Sequence, residues 1–217
     1  MINLYAVNIR DLSKNLESYY NMLKPERIER IERFVKNDDK LRCAVSGMIM
    51  AQIYGDGNPE NIDVCENNYG KPCFRYLTLP NDLKEFNISH SGDWVIMSSS
   101  NETVGCDIEY CKDLRDFLKL ADTAFHKEEI DFIKSRPYEE MKSLFYSIWT
   151  LKESYMKLIG TGFHTPPKSF SVVKDNELIQ SFFYNGKKYY YNTFDFHGYK
   201  LSTAANDIQN KVQILRF

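Results

Sequence analysis

The sequence predicts an α+β fold made of two similar α/β lobes. One observation behind this prediction is that the order of strand, helices and strands occurs twice along the 217 residues. Another is that 43% of the residues are hydrophobic, with 14 Phe and 15 Tyr, which excludes intrinsic disorder and supplies a large core. We expect residues 1–102 to form the first lobe and residues 103–217 the second, without a linker-like composition between them.

The first lobe begins with an alternating strand at residues 2–9 and a short helix that Asp11 opens. Pro25 suits the first turn of a helix, because the N–H that proline lacks would have no partner there. Two longer helices are predicted at residues 25–34 and 38–54. Strands complete the lobe, and we predict them at residues 62–66, 73–77, 86–90 and 94–100.

The second lobe is predicted to begin with a strand at residues 103–109. Helical periodicity then covers residues 113–135 and 138–160. The remainder of the chain is rich in Tyr and Phe, a composition typical of strands. The element order of the first lobe is thus repeated, although the similarity between the two halves is too faint to prove a sequence repeat.

Charge and hydropathy exclude several classes of partner. The chain has 28 Lys and Arg against 30 Asp and Glu, so its formal net charge is -2. This balance argues against nucleic-acid binding through a broad basic surface. No apolar run is long enough to span a membrane, and the first residues lack the pattern of a secretory signal, so we expect a cytoplasmic protein. The five cysteines include no C-x-x-C pair, which favours reduced thiols.

Two carboxylates alternate along the strand predicted at residues 103–109. Asp107 and Glu109 point to one face of this strand, and Cys106 and Ile108 point to the other. Carboxylate oxygens are the ligands that magnesium prefers. The D-x-E pattern is also common on a solvated strand face, so by itself it leaves both interpretations open.

The helix predicted at residues 138–160 carries a second group of polar residues. Glu153 lies opposite an apolar stripe of ordinary core positions, and Tyr146, Trp149 and Lys157 lie on its own side. Glu153 and Lys157 have the i,i+4 spacing of a surface ion pair worth only tenths of a kcal/mol. The aromatic neighbours favour a second interpretation, in which this face lines a cleft.

Together these two segments resemble the signature of the 4′-phosphopantetheinyl transferases, specifically the longer surfactin-synthetase-activating class. Forty-one residues separate Asp107 from Trp149, and a Lys-Glu pair and a final lysine follow, as in that signature. Three further segments resemble the class in the same order, so that the similarity extends from about residue 25 to residue 170. These segments are residues 25–42, the turn at 69–72 and the stretch at 87–91.

The resemblance implies a pseudo-twofold arrangement of the lobes with the active site in the cleft between them. The implied reaction transfers the 4′-phosphopantetheine arm of coenzyme A to a serine of an apo acyl or peptidyl carrier protein and releases adenosine 3′,5′-bisphosphate. Asp107, Glu109 and Glu153 would bind Mg²⁺, with Mn²⁺ as a possible substitute. Glu153 is also the candidate for accepting the serine proton, and Lys152 and Lys157 would stabilise charge on the phosphates.

Basic and polar residues of the first lobe are implied to bind coenzyme A, which is a substrate. With Lys152 and Lys157 of the second lobe, the resemblance gives eight residues that would bind coenzyme A: Arg27, Arg30, Arg42, Lys71, Ser89, His90, Lys152 and Lys157. From spacing alone, the arginines of residues 25–34 favour a solvated helix with ion pairs. Lys71 also fits an exposed turn, and Glu129 matches a glutamate near the active site of the family.

The resemblance further implies a monomer. The stretch from Tyr110 to Phe125 mixes apolar and charged residues, so it suits carrier recognition and a plain amphipathic helix equally well. Two other functions stay open at this point. One is a non-catalytic module that binds coenzyme A or a nucleotide and needs no metal. The other is a magnesium-dependent phosphohydrolase, which would use water in place of the carrier serine.

Overall fold

The computed structural model describes residues 2–75, 85–208 and 210–217 and confirms the α+β fold. Most strands in these ranges belong to two four-stranded sheets. The first sheet has the order β12 (Asn210–Ile214), β1 (Ile2–Asn8), β5 (Trp94–Ser100) and β4 (Glu85–Ser91). The second has the order β6 (Gly105–Tyr110), β11 (Tyr199–Ala205), β10 (Lys187–Phe196) and β9 (Ser181–Tyr184). Two short hairpins pair β2 (Val64–Glu66) with β3 (Pro72–Phe74), and β7 (Val173–Lys174) with β8 (Glu177–Leu178).

The helices lie at or near the predicted positions, with one exception. The predictions at residues 25–34, 38–54 and 138–160 are confirmed as α1 (Pro25–Glu32), α2 (Asn37–Tyr54) and α5 (Tyr138–Ile159). The helical region predicted at 113–135 is confirmed, but it is divided into two helices, α3 (Phe117–Ala124) and α4 (Lys127–Lys134). A capping box at His126 separates them: the Glu129 carboxylate accepts the His126 N–H at 2.8 Å and starts a new helix.

Three hydrophobic clusters hold the layers together. In the first, α2 covers one face of the first sheet. In the second, α5 covers the second sheet. The third cluster joins the two sheets. One face of β1 and β5 packs in the first cluster, and the opposite face contacts residues of β6 and β11. Members of this third cluster include Leu4, Ile96, Cys106, Ile108 and Leu201.

The end of the chain returns to the first sheet. β12 pairs in parallel with β1, with Leu4 opposite Val212. The last described strand therefore adds to the sheet of residues 2–100, although the strands just before it belong to the second sheet. The strand predicted at 73–77 is seen as β3, and residues 76–77 of that prediction lie outside the described residues.

No helix in the described ranges has both the length and the apolar character needed to cross a membrane.

Candidate active site

Four of the predicted site residues lie together where α5 crosses β6. Asp107 and Glu109 come from β6, and Glu153 and Lys157 come from α5. The Lys157 ammonium forms an ion pair with Asp107 Oδ1 at 2.5 Å, and the Asp107 carboxylate is buried. The i,i+4 surface pair of Glu153 with Lys157 is therefore replaced by a contact between two elements of the fold.

Gly105 explains how α5 comes so close to β6. It lies two residues before Asp107 on the same face of the strand. A Cβ atom at this position would be 1.9 Å from the Ser154 carbonyl oxygen and 2.6 Å from the Leu158 nitrogen, both backbone atoms of α5. The missing side chain thus lets the helix backbone rest on the strand, and this contact brings the α5 side chains to Asp107.

Burial and the charge of Asp107 raise the pKa values of the two glutamates of the cluster. Burial and then the charge of Asp107 raise the pKa of Glu153 to about 7, and Glu109 adds to this effect. Burial and Asp107 also raise the pKa of Glu109. Burial would lower the pKa of Lys157, but the Asp107 carboxylate outweighs it and the pKa is raised. The site is therefore a crowded anionic cluster with one resident cation.

A row of short polar side chains on β4 connects the two sheets. Every second residue of this strand offers an oxygen to a backbone N–H of β6. The pairs are Asn87 with Cys106 at 3.1 Å, Ser89 with Ile108 at 3.3 Å, and Ser91 with Tyr110 at 3.1 Å. Side chains thus replace a backbone ladder between β4 and β6, and they fix the register between the two strands.

The same two serines hold the carboxylates. Ser89 Oγ donates to Asp107 Oδ1 at 2.8 Å and accepts from the Lys157 ammonium at 2.9 Å. Ser91 Oγ donates to Glu109 Oε2 at 2.8 Å. Each serine therefore orients one acidic side chain while it binds the strand that carries that side chain. Asn87 and Ser91 are not among the predicted site residues, although their period-two spacing around Ser89 is a signal for them.

One oxygen of the cluster lacks a hydrogen-bond partner. Asp107 Oδ2 is buried and accepts no hydrogen bond. A buried carboxylate oxygen without a partner next to two more carboxylates suits a hard cation such as Mg²⁺. Among the residues that the structure describes, however, no three acidic, His or Cys side chains are already arranged as a metal centre. The positive charge at Asp107 comes instead from Lys157.

Two of the predicted first-lobe residues border this cluster. The pKa of His90 is lowered by burial and by the positive charges of Arg42 and Lys157, so these three groups are electrostatic neighbours. Arg42 is held by Asp39 Oδ1 at 2.6 Å and by the Gly92 carbonyl at 2.5 Å. A basic edge of three groups thus adjoins the acidic cluster, which is a suitable environment for a phosphate.

The α1 arginines lie further along the first lobe. The Arg27 side chain packs against α2 at Gly47, where a Cβ atom would lie 3.4 Å from the Arg27 Nε. Arg27 also lines a cavity of about 380 Å³. Arg30 is exposed. Arg33 forms only a long i,i+4 contact with Glu29 at 4.0 Å, and both side chains are solvated. The solvated ion-pair interpretation therefore holds for Arg33, and the phosphate roles of Arg27 and Arg30 stay predictions.

Lys71 contacts backbone oxygens of the second lobe. Its ammonium donates to the Leu158 carbonyl at 3.1 Å and to the Val104 carbonyl at 3.4 Å, at the seam between β6 and the end of α5. Burial lowers the pKa of Lys71. Backbone oxygens of the second lobe hold this ammonium, and its predicted contact with coenzyme A stays a prediction.

Lys152 forms a buried ion pair with Glu129. Its side chain is only 1% exposed and pairs with Glu129, which is fully buried. The ammonium donates to both Glu129 oxygens at 2.7 and 2.8 Å and to the Phe170 carbonyl at 2.6 Å. The Glu129 carboxylate also accepts the Val172 N–H at 2.8 Å. Lys152 therefore ties α5 to α4 and to Phe170, and its predicted contact with the phosphates of coenzyme A stays a prediction.

The fold and the cluster together define a class of site, in which acidic groups of β6 and α5 lie beside basic groups of α2 and β4. Comparison with known proteins gives the family. Residues 103–205 match the model of the 4′-phosphopantetheinyl transferase superfamily, and residues 10–102 match that of the 4′-phosphopantetheinyl transferase N-terminal region. The chain belongs to the 4′-phosphopantetheinyl transferase superfamily.

Its curated relatives include members of the surfactin-synthetase-activating class. The chain is 33% identical over 186 residues to the 4′-phosphopantetheinyl transferase gsp of Aneurinibacillus migulanus, which covers 83% of this chain and 75% of that protein. It is 30% identical over 195 residues to the transferase Sfp of Bacillus subtilis, covering 87% and 84% of the two chains. The transferase ffp of Bacillus subtilis is 34% identical over 155 residues, covering 70% and 66%. The resemblance found in the sequence is thereby confirmed.

Proposed function

We propose that this protein transfers the 4′-phosphopantetheine arm of coenzyme A to a serine of an apo acyl or peptidyl carrier protein. The observation that carries the proposal is the contact of Asp107, Ser89 and Lys157 at the crossing of β6 and α5, in a chain of this family. In the transfer, the serine oxygen forms a bond to the β-phosphorus of coenzyme A. The bond from that phosphorus to the leaving oxygen breaks, and adenosine 3′,5′-bisphosphate departs.

Asp107, Glu109 and Glu153 would hold a divalent cation, Mg²⁺ or Mn²⁺. Support comes from the partnerless Asp107 Oδ2, and from burial and the repulsion of Asp107, which raise the pKa values of Glu109 and Glu153. When bound, the ion would neutralise this repulsion and polarise phosphate oxygens.

Glu153 is the proposed acceptor of the serine proton. Its pKa of about 7 belongs to the cluster without an ion, where burial and the charge of Asp107 raise it, so the proposed role as base rests on the position of this carboxylate beside Asp107 and Lys157. Lys157 would stabilise negative charge on the phosphates, because its ammonium is already fixed in the cluster by Asp107 and Ser89. The remaining catalysis is positioning, since phosphoryl chemistry leaves little covalent work for the protein.

The basic edge beside the cluster is the proposed site for the 3′-phosphate of coenzyme A. Arg42 and His90 form it, and Arg27 and Arg30 would extend it along the first lobe. Ser89 would contribute by holding Lys157 and Asp107, because its hydroxyl hydrogen is already donated to Asp107. This division assigns nucleotide binding to residues 1–102 and catalysis to residues 103–217.

Carrier recognition is proposed for the stretch from Tyr110 to Phe125. A cavity of about 390 Å³ with a mainly apolar lining lies between this stretch and α5, directly beside Glu109. Its walls include Leu114, Leu120 and Trp149. We further propose that the protein works as a monomer in the cytoplasm.

The proposed function is tested by incubating the protein with an apo carrier, coenzyme A and Mg²⁺ and weighing the carrier by mass spectrometry. We expect a phosphopantetheine adduct on the carrier, and we expect its loss with Asp107→Asn, which keeps the shape of the side chain but removes its charge. If several fatty-acid and peptide carriers stay unmodified, the transferase proposal is wrong. Hydrolysis of coenzyme A without a carrier would favour the phosphohydrolase, and binding without either reaction would favour the non-catalytic module.

A further inference from the structure

The hairpin of β2 and β3 places two cysteine thiols directly opposite each other. Cys65 and Cys73 are partners in the register of these strands, and their sulfur atoms are 3.2 Å apart. Nearer the turn, the Asn67 N–H donates to the Lys71 carbonyl at 2.9 Å. Asn67 and Lys71 are each two residues from a cysteine of the pair, so the cysteines also occupy a hydrogen-bonded position of the ladder. In such positions the Cα atoms are about 5.5 Å apart, within the range of roughly 4.4–6.8 Å that a disulfide requires.

The pair differs from the other cysteines in its environment. Cys43 and Cys106 are buried, whereas both thiols of the pair are partly exposed. Cys73 also lines a crevice of about 240 Å³ at the surface. Cys111 is partly exposed too, but the hydrogen-bond contact described for its sulfur is with the Glu109 carbonyl at 3.9 Å. Cys65 and Cys73 are therefore both accessible to solvent, and each has a second thiol within contact distance.

We propose that Cys65 and Cys73 form a reversible disulfide site, oxidised by a small disulfide such as oxidised glutathione. The Cys65 thiolate attacks one sulfur of the oxidant and expels a glutathione thiolate. The Cys73 thiolate then attacks the Cys65 sulfur of the mixed disulfide and expels the second glutathione. The two cysteine protons end on the two glutathione thiols, so two electrons pass from the protein to the oxidant.

The order of the two attacks follows from the surroundings of the thiols. Burial and the hydrogen bond to Cys65 raise the pKa of Cys73 to about 11, so this thiol keeps its proton near neutral pH. Cys65 is therefore the first nucleophile, and Cys73 gives up its proton only in the second step, as it attacks the mixed disulfide. After the mixed disulfide forms, the Cys73 sulfur needs no backbone rearrangement to reach it, because the two sulfur atoms are already in contact.

The position of the hairpin gives the disulfide a structural effect. Asn67 Nδ2 donates to the Gly160 carbonyl at 2.9 Å, and Lys71 Nζ donates to the Leu158 carbonyl at 3.1 Å. The loop that the disulfide would close thus contains both groups that hold the end of α5. We expect oxidation to restrain this loop and to slow amide hydrogen exchange at residues 66–72.

The test is to equilibrate the folded full-length protein with oxidised glutathione, quench with acid, and analyse intact mass and disulfide-linked peptides. We expect a protein lighter by two hydrogen atoms, with Cys65 linked to Cys73, and full reversal by dithiothreitol. Cys111→Ser should behave in the same way, whereas Cys65→Ser should give no internal link. Absence of the link in the wild-type protein would overturn the proposal. A link between other cysteines, or one that forms only in urea, would also overturn it.

Discussion

The buried pair of Lys152 and Glu129 gives a sharp test of the role of Lys152. In the variant Lys152→Met, the Glu129 carboxylate stays buried and loses its cation, and only the His126 and Val172 N–H groups still bind it. Breaking one side of a buried ion pair costs about 3–5 kcal/mol. For a chain of this size each kcal/mol lowers the melting temperature by roughly 2–4 °C, so we expect a loss of roughly 6–20 °C.

A second substitution separates the charge from the packing. In Lys152→Met with Glu129→Gln, no buried charge is left, and the amide oxygen can still accept the Val172 N–H. We expect the double variant to regain at least half of the lost stability, because the uncompensated carboxylate dominates the cost. A double-mutant cycle measured by urea unfolding gives the coupling energy directly.

Transferase assays on the same variants decide the role of Lys152. At a temperature where both variants are folded, we expect turnover per folded molecule close to that of the wild type, because this ammonium binds Glu129 and Phe170. A Lys152→Met variant that melts normally and has lost turnover would refute the structural assignment. Equal destabilisation of the single and double variants would refute the argument from the uncompensated charge.

Three further predictions concern the cleft. Ser91→Ala removes the charge-assisted hydrogen bond that orients Glu109, so we expect the Mg²⁺ concentration for half-maximal activity to rise severalfold. Ser91→Thr keeps a hydroxyl and should restore the wild-type value, and equal behaviour of both variants would contradict a positioning role. Gly105→Ala puts a Cβ into the α5 backbone, so we expect a loss of about 1–3 kcal/mol in urea unfolding and at least tenfold slower transfer; normal activity would show that the close approach is dispensable. His90 has a lowered pKa, which a bound phosphate would raise again, so binding takes up a proton and coenzyme A affinity should increase as the pH falls from about 8 to about 6. Calorimetry in buffers of different ionisation enthalpy measures this uptake, which should be absent with His90→Gln and with 3′-dephospho-coenzyme A.

Much of the site was predictable because its signals are local. Alternation along a strand placed Asp107 and Glu109 on the face opposite the buried Cys106 and Ile108. Helical periodicity put Glu153 and Lys157 on the face opposite the apolar stripe. Period and spacing act over a few residues, and these properties survive folding unchanged. The fold class and the bounds of the long helices were predictable for the same reason.

The tertiary structure decided which partner each of these faces meets. Helical spacing says on which side of α5 a lysine lies, but not that a carboxylate 23 residues earlier comes to bury it, as Glu129 does for Lys152. The capping box at His126, the seam contacts of Lys71 and the return of β12 to the first sheet likewise depend on segments distant in sequence. A buried polar group must find a partner, and in a folded chain that partner is chosen by packing between layers. The sequence by itself determined which side chains could do the chemistry, and the packing determined which of them are placed to do it.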